Sequence, residues 1–552
     1  MRHVALVGAA FVIVARSVLV LAQAPVTSAR LVAADREPQN WLTYSGSYKS
    51  QRHTALAQIT PANVRDLELQ WVFQVRSLGL ADKFEASPIV VDGVMYTVSP
   101  PNDVVALDAA TGRVFWRYDH AVAPTARVCC GRVNRGVAIL GNRVFMGTID
   151  GRVVALNAKS GAVEWDIPVG RPESGYSVTV APLVVKDKIL VGPAGGEFGI
   201  RGFIVALDPD TGKELWRFNT IPGPGEAGSD TWSGDAWKRG GGPIWTTGSY
   251  DPDLNLTYWG TGNPGPDWNG DGRPGDNLYT DSVVALDADT GRLKWHYQFT
   301  PHDEFDFDST QVPVLADITW QGQSRKVMLW ANRNGVFYVL DRTSGQFLKA
   351  APFTKVNWVD GWDSKGRPHK VLAPTPQGTL VYPNNQGATN WYSPSFSPVT
   401  GLFYIPTWAD TLSVYRKTPG AGAVKYTEGQ QFTGIFPTMA VPALVPMGTN
   451  TRSPQDGYGA IQAVDPQTGE RKWEFKMTDV TDSGVLSTTT GLVFAGGREG
   501  YLFALDARTG ALLWRAMVGG QVASGPISYA VNGKQYVAVA AGNNLFVWGL
   551  RS

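Results

Sequence analysis

The sequence predicts an all-β protein, a single closed β-propeller with seven or eight blades. Six segments repeat one pattern, in which a strand of apolar residues leads through Asp-x-x-Thr-Gly-x-x-x-Trp, or a close variant of it, into a second strand. The 62 glycines and 36 prolines, beside 20 Trp, 19 Tyr and 22 Phe, are typical of many short turns between aromatic-rich strands. The repeats end at Trp116, Trp165, Trp216, Trp295, Trp473 and Trp514, and a degenerate copy contains Asp341 and Gly345.

Each repeat is a β-hairpin by its residue chemistry. The Asp side chain can accept hydrogen bonds from the turn backbone, and the Gly can adopt a positive φ. Neighbouring clear copies are about 40 to 50 residues apart, which is the length of one four-stranded blade. The longer interval from Trp216 to Trp295 predicts a large insertion. Between Trp295 and Trp473 the copies fade, with room for the degenerate copy and a weaker unit near Tyr415.

The two ends of the chain are expected to close the ring. Strands within residues 536–541 and 545–549 should pair with strands from the N-terminal region. The alternative is an open solenoid of hairpins, which would leave two unprotected sheet edges. The closed ring is therefore favoured.

The charged residues are balanced, with 49 Lys and Arg against 48 Asp and Glu and a formal net charge of +1. No long run carries a single sign. This balance excludes a protein that binds nucleic acid or another polyanion through bulk charge, and it excludes a globally disordered chain.

Residues 1–29 have the pattern of a secretory signal peptide, with an apolar core and small residues before a cleavage site after Ala24 or Ala29. The alternative is an uncleaved anchor, but Arg16 interrupts the apolar run, which is short for a membrane span. We therefore expect export to an oxidising compartment, with no membrane span in the mature protein. The propeller should then comprise residues 30–552.

The two cysteines, Cys129 and Cys130, are adjacent, so they offer neither a disulfide framework nor a zinc cluster. A bridge between neighbours requires a small strained ring, which usually marks a functional site, and a pair of free buried thiols is the alternative. The motif C-x-x-C-H is absent from the sequence. We therefore expect no haem domain in this chain, and any covalently attached haem should lie on a partner.

Residues 302–308 read HDEFDFD and contain four carboxylates. If this segment is extended, Glu304, Asp306 and Asp308 lie on one face and repel one another unless a cation or water lies between them. A hard cation would explain the pattern, because such ions take oxygen ligands. A solvated acidic loop is the alternative.

Several irregular segments, taken with the Trp repeats, resemble the pyrroloquinoline quinone (PQQ) dependent alcohol and methanol dehydrogenases. These segments are CCGRVNRG, GGEFGIRG, GDAWKRGGGPIW, YWGTGNPGPDWNGDGRPGDN and TPHDEFDFD. The resemblance covers nearly the whole chain after the signal, and the combination is highly specific. It implies an eight-bladed propeller with the quinone and one metal ion on its axis.

The resemblance also implies roles for individual residues. Cys129 and Cys130 match a vicinal disulfide against one face of the quinone, and Trp245 matches an indole stacked on the other face. Asp306 matches the catalytic base. The implied metal ligands are Glu197, Asn263 and Asp306. The implied contacts to the carboxylates and carbonyls of the quinone are Glu85, Arg135, Thr179, Arg333 and Asn390, of which the two arginines suit anions.

Asp308 lies two residues after Asp306, where relatives that resemble the calcium enzymes usually have Ala. An Asp at this position resembles the sequence pattern of the lanthanide-type enzymes. The resemblance implies that Asp308 is an extra metal ligand. A trivalent ion gains more from an additional anionic ligand than a divalent ion does. The alternative is a carboxylate in the second shell of a calcium ion.

Two positions depart from the family pattern. The chain has Asp482-Ser483-Gly484 where relatives often have Trp-Gly-Gly, and Ala194 where many have a hydroxyl. One contact at the edge of the quinone and one near a quinone carboxylate are therefore expected to differ.

The function implied by the resemblance is the oxidation of alcohols to aldehydes in the periplasm. The metal would polarise the quinone carbonyl, Asp306 would take the hydroxyl proton, and hydride would pass to the quinone. Electrons would then pass to a separate soluble cytochrome c. The alternatives are a quinoprotein that acts on sugars or polyols, and a non-catalytic propeller of the outer-membrane assembly-factor kind. A homodimer is compatible with the sequence.

Overall fold

Eight sheets, each built on four antiparallel strands and one of them extended by a fifth, form the ring in a computed structural model that describes residues 25–76, 79, 82–439 and 457–551. The predicted eight-bladed β-propeller is thus confirmed. The apolar part of the expected signal, residues 1–24, lies outside the described residues. Within the part of the chain that is described, no helix combines the length and the apolar composition that crossing a membrane requires.

Blades 1 to 4 follow one another along the chain. Their strands are Ile89–Val91, Val94–Ser99, Asp103–Asp108 and Val114–Tyr118 in blade 1; Ala138–Leu140, Arg143–Gly147, Arg152–Asn157 and Val163–Pro168 in blade 2; Leu183–Val185, Lys188–Val191, Phe203–Leu207 and Glu214–Asn219 in blade 3; and Ser249–Asp251, Leu256–Gly260, Ser282–Asp287 and Leu293–Gln298 in blade 4.

Blades 5 to 8 complete the ring. Their strands are Val314–Trp320, Gln323–Ala331, Val336–Asp341 and Phe347–Pro352 in blade 5; Ser395–Phe396, Phe403–Ala409, Tyr458–Val464 and Arg471–Lys476 in blade 6; Leu486–Thr488, Leu492–Gly496, Tyr501–Asp506 and Leu512–Met517 in blade 7; and Ile527–Val531, Lys534–Ala541, Asn544–Leu550 and Leu67–Gln74 in blade 8.

Blade 8 joins the two ends of the chain, as the sequence predicts. Leu67–Gln74 pairs antiparallel with Asn544–Leu550, and the short strand His53–Thr54 adds in parallel to Leu486–Thr488 of blade 7. The long interval before Trp295 is also explained, because residues 220–248 and 261–281 are insertions around the first strands of blade 4.

The weaker unit expected near Tyr415 is not a blade. Ser413–Tyr415 pairs instead with Thr379–Val381 and Thr438–Met439 in a small sheet outside the ring. The reason is that this segment belongs to the long connection between the second and third strands of blade 6. A second small sheet pairs Val359–Trp362 with Pro368–Lys370.

Among the residues that the structure describes, helical structure is confined to short segments outside the blades. These are one α-helix, Ser28–Val32, and the 3₁₀ turns Ala34–Arg36, Val64–Asp66, Pro172–Ser174, Gly196–Phe198, Ser229–Thr231, Ala236–Arg239 and Gly270–Gly272.

The repeated Gly and Trp residues lock adjacent blades together. Gly161 of blade 2 has a φ of 72°, and a Cβ at this position would lie 2.5 Å from Cε3 of Trp116 in blade 1. The indole N–H of Trp116 donates to the carbonyl of Ala158 at 2.9 Å. Only Gly permits both the left-handed backbone and the close approach of the indole. The same contact recurs at Gly112 on Trp71, Gly212 on Trp165, Gly291 on Trp216, Gly345 on Trp295 and Gly510 on Trp473.

Candidate active site

The predicted site residues lie in loops at one end of the propeller. In a blade of four antiparallel strands, the loop between the second and third strands and the connection to the next blade open at the same end. Glu197, Asn263 and Arg333 lie in loops of the first kind, in blades 3, 4 and 5. The connections between blades, or into blade 1, contain Glu85, Cys129, Cys130, Arg135, Thr179, Trp245, Asp306, Asp308 and Asn390.

Cys129 and Cys130 form a disulfide, so the vicinal bridge implied by the resemblance is confirmed. Cys130 adopts a left-handed backbone with φ of 66°. Its Sγ lies 3.9 Å from Oε1 of Glu197. The bridge therefore borders the acidic part of the site, and its sulfurs are not available as thiolate ligands.

Arg135 contacts three other site residues that lie in different connections between the blades. Its guanidinium lies 4.9 Å from the centre of the Trp245 ring, and Nη1 donates to the Trp245 carbonyl at 2.8 Å. Nη1 also donates to Oγ1 of Thr179 at 3.0 Å, and Nη2 lies 2.8 Å from Oε2 of buried Glu85. Burial raises the pKa of Glu85, although Arg135 opposes this shift. Arg135 thereby holds Trp245, Thr179 and Glu85 in one arrangement.

Arg333 brings the two carboxylates of the acidic segment together. Its Nη2 lies 2.8 Å from Oδ2 of Asp306, and its Nη1 lies 2.5 Å from Oδ2 of Asp308. The arginine is buried and also donates through Nε to the carbonyl of Asn385 at 3.0 Å. Burial raises the pKa of Asp306 well above its usual value, and Arg333 only partly offsets this. A cation at these oxygens would relieve the cost of burying them as anions.

Asp308 contacts both Arg333 and Asn263, which is another implied metal ligand. Its Oδ1 accepts a 2.7 Å hydrogen bond from the backbone N–H of Asn263, and the nearby Trp245 side chain favours the charged form of this carboxylate. The backbone here is packed closely, since a Cβ on Gly262 would lie 2.4 Å from Oδ1 of Asp308. A Cβ on Gly196, next to Glu197, would lie 2.8 Å from Oδ1 of Asn263. The two glycines therefore leave the space in which these oxygens converge.

Glu197 is the third carboxylate among the implied metal ligands, beside Asp306 and Asp308. Burial raises its pKa to about 7, and the charge of Asp308 adds to this shift. Its backbone carbonyl accepts a 2.6 Å hydrogen bond from the N–H of Phe432, which fixes the turn. Within the described residues, the side-chain oxygens of Glu197, Asp306 and Asp308 do not all lie within 4.8 Å of one another; Arg333 bridges the latter two. A metal ion would therefore compete with Arg333 for these oxygens.

The donor set nevertheless fits a hard cation and an aromatic anion. Carboxylate and amide oxygens are the ligands that such cations take. The disulfide and the Trp245 indole are the groups that the resemblance assigns to the two faces of the quinone. Nε of Arg135 and Oδ1 of Asn390 are buried without a hydrogen-bond partner among the described residues. These orphaned polar atoms need a ligand or water.

The acidic segment does not have the extended geometry considered from its sequence. Asp306 has a φ of 62°, which breaks the alternation of faces. Glu304 turns away and lies 2.9 Å from Nζ of Lys417, while the Asp303 carboxylate accepts the N–H groups of Phe305 and Phe307. Glu304 and Asp303 thus support the segment, and only Asp306 and Asp308 reach Arg333.

The two departures from the family pattern have different environments. Ala194 contributes its backbone, which pairs with Ser177 in an isolated bridge. Asp482 is wholly buried and lies 3.0 Å from Nζ of Lys83 and 3.2 Å from the guanidinium of Arg498. Asp482 is therefore the centre of a buried ion network.

Asp267 and Asp281 are candidate functional residues that the sequence analysis did not identify. Both are buried, and neither carboxylate has a hydrogen-bond partner among the described residues. Burial raises the pKa of both, and the charges of Asp306 and Asp308 raise them further. The available signal was the position of Asp267 four residues after Asn263; Asp281 precedes a blade strand and carries no motif.

Comparison with known proteins agrees with this geometry. The family described as PQQ-dependent "Glucose/ethanol/alcohol dehydrogenase, beta-propeller domain" matches residues 41–361 and 364–537. The chain is 41% identical over 557 residues to the quinohemoprotein alcohol dehydrogenase ADH IIB of Pseudomonas putida, covering 95% of this chain and 76% of that relative.

Two further similarities concern lanthanide proteins. The chain is 37% identical over 544 residues to the lanthanide-dependent methanol dehydrogenase of Methylacidiphilum fumariolicum, covering 93% of this chain and 86% of that relative. Its structure is similar to that of a europium-containing methanol dehydrogenase, with a TM-score of 0.87 and 33% identity over 95% of this chain and 100% of the other. The chain therefore belongs to the PQQ-dependent alcohol dehydrogenase family.

Proposed function

We propose that the protein oxidises an alcohol to the aldehyde at the site between the disulfide and Trp245, with Asp306 as the base. The observation that carries this proposal is the placement of Asp306 and Asp308 on one guanidinium, that of Arg333. PQQ and a metal ion would supply the hydride acceptor and the Lewis acid when bound.

The chain's own residues would bind the quinone, orient the catalytic carboxylate and deprotonate the alcohol. Nε of Arg135 would donate to the anionic edge of the quinone, and Oδ1 of Asn390 would accept a hydrogen bond from the ligand or a water. The disulfide and Trp245 would exclude water from the faces of the quinone. Asp306 would hold the hydroxyl proton of the alcohol at its carboxylate. Arg333, 2.8 Å away, would orient that carboxylate and stabilise its charged form.

We propose that the metal is a lanthanide rather than Ca²⁺. Asp308 adds a carboxylate to Glu197 and Asp306, and Asp267 and Asp281 lie within electrostatic reach. The positive charges of Arg333 and Arg273 do not balance these five carboxylates, and a trivalent ion offsets the excess better than a divalent one.

The test is reconstitution of the apoprotein with PQQ and either calcium or lanthanum, followed by addition of primary alcohols. We expect the absorption spectrum of the bound quinone to change on addition of alcohol, with a faster change in the lanthanum sample. A quinone spectrum that responds to sugars or polyols and not to alcohols would contradict the proposed substrate class. Equal rates with both metals would contradict the metal assignment.

We also propose that a separate soluble cytochrome c accepts the electrons, one at a time. The support for this is membership of the PQQ-dependent alcohol dehydrogenase family, for which the resemblance implies such a carrier. The expected measurement is reduction of an added cytochrome c by the reconstituted enzyme in the presence of alcohol. A requirement for membrane quinone in place of cytochrome c would contradict the proposal.

A periplasmic location and cleavage after Ala24 are part of the same proposal. The support is the apolar start of the chain together with the packing of Val26, which is buried and pairs with Gly141 through hydrogen bonds of 2.8 and 3.1 Å. A cut after Ala29 would remove this strand pairing. Sequencing the N-terminus of protein from the periplasmic fraction distinguishes the two sites.

A further inference from the structure

A short segment before blade 1 contacts three parts of the proposed cofactor site. Oδ1 of Asp82 accepts a 2.9 Å hydrogen bond from the backbone N–H of Arg132, in the loop that contains the disulfide. Glu85 lies 2.8 Å from the guanidinium of Arg135. Between them, Lys83 extends to Asp482, with Nζ and Oδ2 3.0 Å apart. The ammonium of Lys83 is therefore held beside the same site.

Asp482 has the properties of a fixed anion. It is wholly buried, and its carboxylate contacts Arg498 at 3.2 Å and also accepts a hydrogen bond from Gln521. Burial alone would raise its pKa, but the charges of Arg498 and Lys83 outweigh this and lower it. A charged carboxylate with this many donors holds the Lys83 ammonium in one position.

Lys83 retains the capacity to bind another anion. Its Nζ lies 4.5 Å from the centre of the Trp391 ring, and Trp391 follows Asn390, whose Oδ1 lacks a partner among the described residues. The Lys83 side chain is 24% exposed, whereas Asp482 is fully covered. An ammonium has three protons, and within the described residues Asp482 is its one hydrogen-bond acceptor.

We propose that Lys83 is a further cofactor-binding residue, which donates a charge-assisted hydrogen bond to a carboxylate of the quinone and is positioned by Asp482. This inference rests on the proposed function, because it requires PQQ at the axial site. It assigns a role to Asp482, whose ion network ends in the Lys83 ammonium.

The test measures PQQ binding rather than turnover. Apoprotein is titrated with PQQ at fixed lanthanum concentration, and binding is followed by quenching of tryptophan fluorescence. Lys83→Met should raise the Kd on the order of tenfold, the effect typical of losing a hydrogen bond to a charged group, and Lys83→Arg should retain most of the affinity. Lys186→Met is the matched control, because Lys186 pairs with Asp289 at 2.8 Å in a hairpin of blade 3.

A second ligand identifies the contact. With the trimethyl ester of PQQ, which lacks the charged carboxylates, wild type and Lys83→Met should bind with similar affinity. The inference is overturned if folded Lys83→Met binds PQQ within twofold of wild type, or if its deficit persists with the ester. Wild type that binds neither ligand would overturn the proposed function as well.

A variant that keeps the lysine covers the case in which Lys83→Met does not fold. Asp482→Asn retains the charge of Lys83 but weakens its anchor, so we expect a Kd for PQQ about threefold higher, with a smaller effect on the ester. Unchanged affinity for PQQ in folded Asp482→Asn would contradict the positioning role.

Discussion

Oδ1 of Asp308 accepts a 2.7 Å hydrogen bond from the backbone N–H of Asn263, so two implied metal ligands from blade 4 and the segment after it are directly bonded. The other oxygen of Asp308 contacts Arg333, which also contacts Asp306. Asp308 is therefore both a candidate ligand and a connection between Asn263 and Arg333.

Asp308→Ala should weaken lanthanide binding far more than calcium binding. The change removes one negative charge and up to two oxygens from the site, and a trivalent ion loses more than a divalent ion from the same deletion. A cost of a few kcal/mol is typical for interactions with charged groups and would reverse the metal preference. The measurement is terbium luminescence in competition with calcium, and an unchanged terbium affinity would place Asp308 in the second shell.

Asp306→Asn should lower kcat by a factor of about 10² to 10⁴ with either metal, because an amide cannot accept the hydroxyl proton. The side chains are nearly the same size, and the contact with Arg333 can be kept through the amide oxygen. PQQ binding should therefore persist. Substantial turnover in Asp306→Asn at saturating PQQ and lanthanum would assign the base to another residue.

The fold could be predicted from the sequence because the repeated Gly and Trp residues form the contacts between neighbouring blades. The Gly of each hairpin and the Trp of the previous blade meet in the structure, so the Asp-x-x-Thr-Gly-x-x-x-Trp pattern reports contacts between blades as well as turns. The exception is the contact between blades 5 and 6, where Gly469 lies over Ala351 and Lys349, because the degenerate copy in blade 5 has Lys349 in place of the Trp.

The site was predictable only where its residues lie in motifs. The adjacent cysteines and the HDEFDFD segment are evident in the sequence, but the turn at Asp306 is not, and it decides which carboxylates face Arg333. Asp281 and Lys83 lie in segments without a pattern of their own, and Asp267 lies in the segment YWGTGNPGPDWNGDGRPGDN, which does not single it out. Their proximity to the site arises from loops that meet at one end of the ring, which local sequence does not encode.

Trp245→Ala should weaken PQQ binding without unfolding the propeller. The indole lies in the connection between blades 3 and 4, outside the blade cores, and its ring contacts the Arg135 guanidinium. Loss of aromatic stacking costs on the order of 1 kcal/mol beyond the buried area. Fluorescence titration with PQQ and a thermal unfolding curve measure the two effects. A large fall in Tm with normal affinity for PQQ would indicate a structural role instead.

Gly161→Ala should destabilise the propeller. The new Cβ would lie 2.5 Å from Trp116, and the residue would retain a φ of 72°. The left-handed backbone and the overlap together cost about 2 to 4 kcal/mol. Gly401→Ala is the matched control, because Gly401 has a φ of 70° and no atom within 4 Å of the added Cβ. Urea unfolding should show a smaller loss for the control, and equal losses would argue against the contact with Trp116.

The protonation of Glu197 should make both apoprotein stability and metal binding depend on pH. Its pKa is about 7 in the folded protein, raised by burial from an ordinary value of 4.5. Between these values the folded apoprotein keeps a proton that the unfolded chain has lost, so the free energy of unfolding falls as pH rises from about 4.5 to 7. The contribution of Glu197 is fully present below that window and absent above it.

Metal binding should show the opposite trend, because a cation binds the ionised carboxylate. Lanthanum affinity should rise as pH increases towards 7, by up to tenfold per unit for each proton displaced, and then level off. The measurements are Tm of the apoprotein and lanthanum affinity between pH 5 and 8, for wild type and Glu197→Gln. The variant should bind lanthanum more weakly at pH 8 and show a shallower slope below pH 7. A wild-type affinity that is constant from pH 5 to 7 would show that Glu197 is already ionised without the metal.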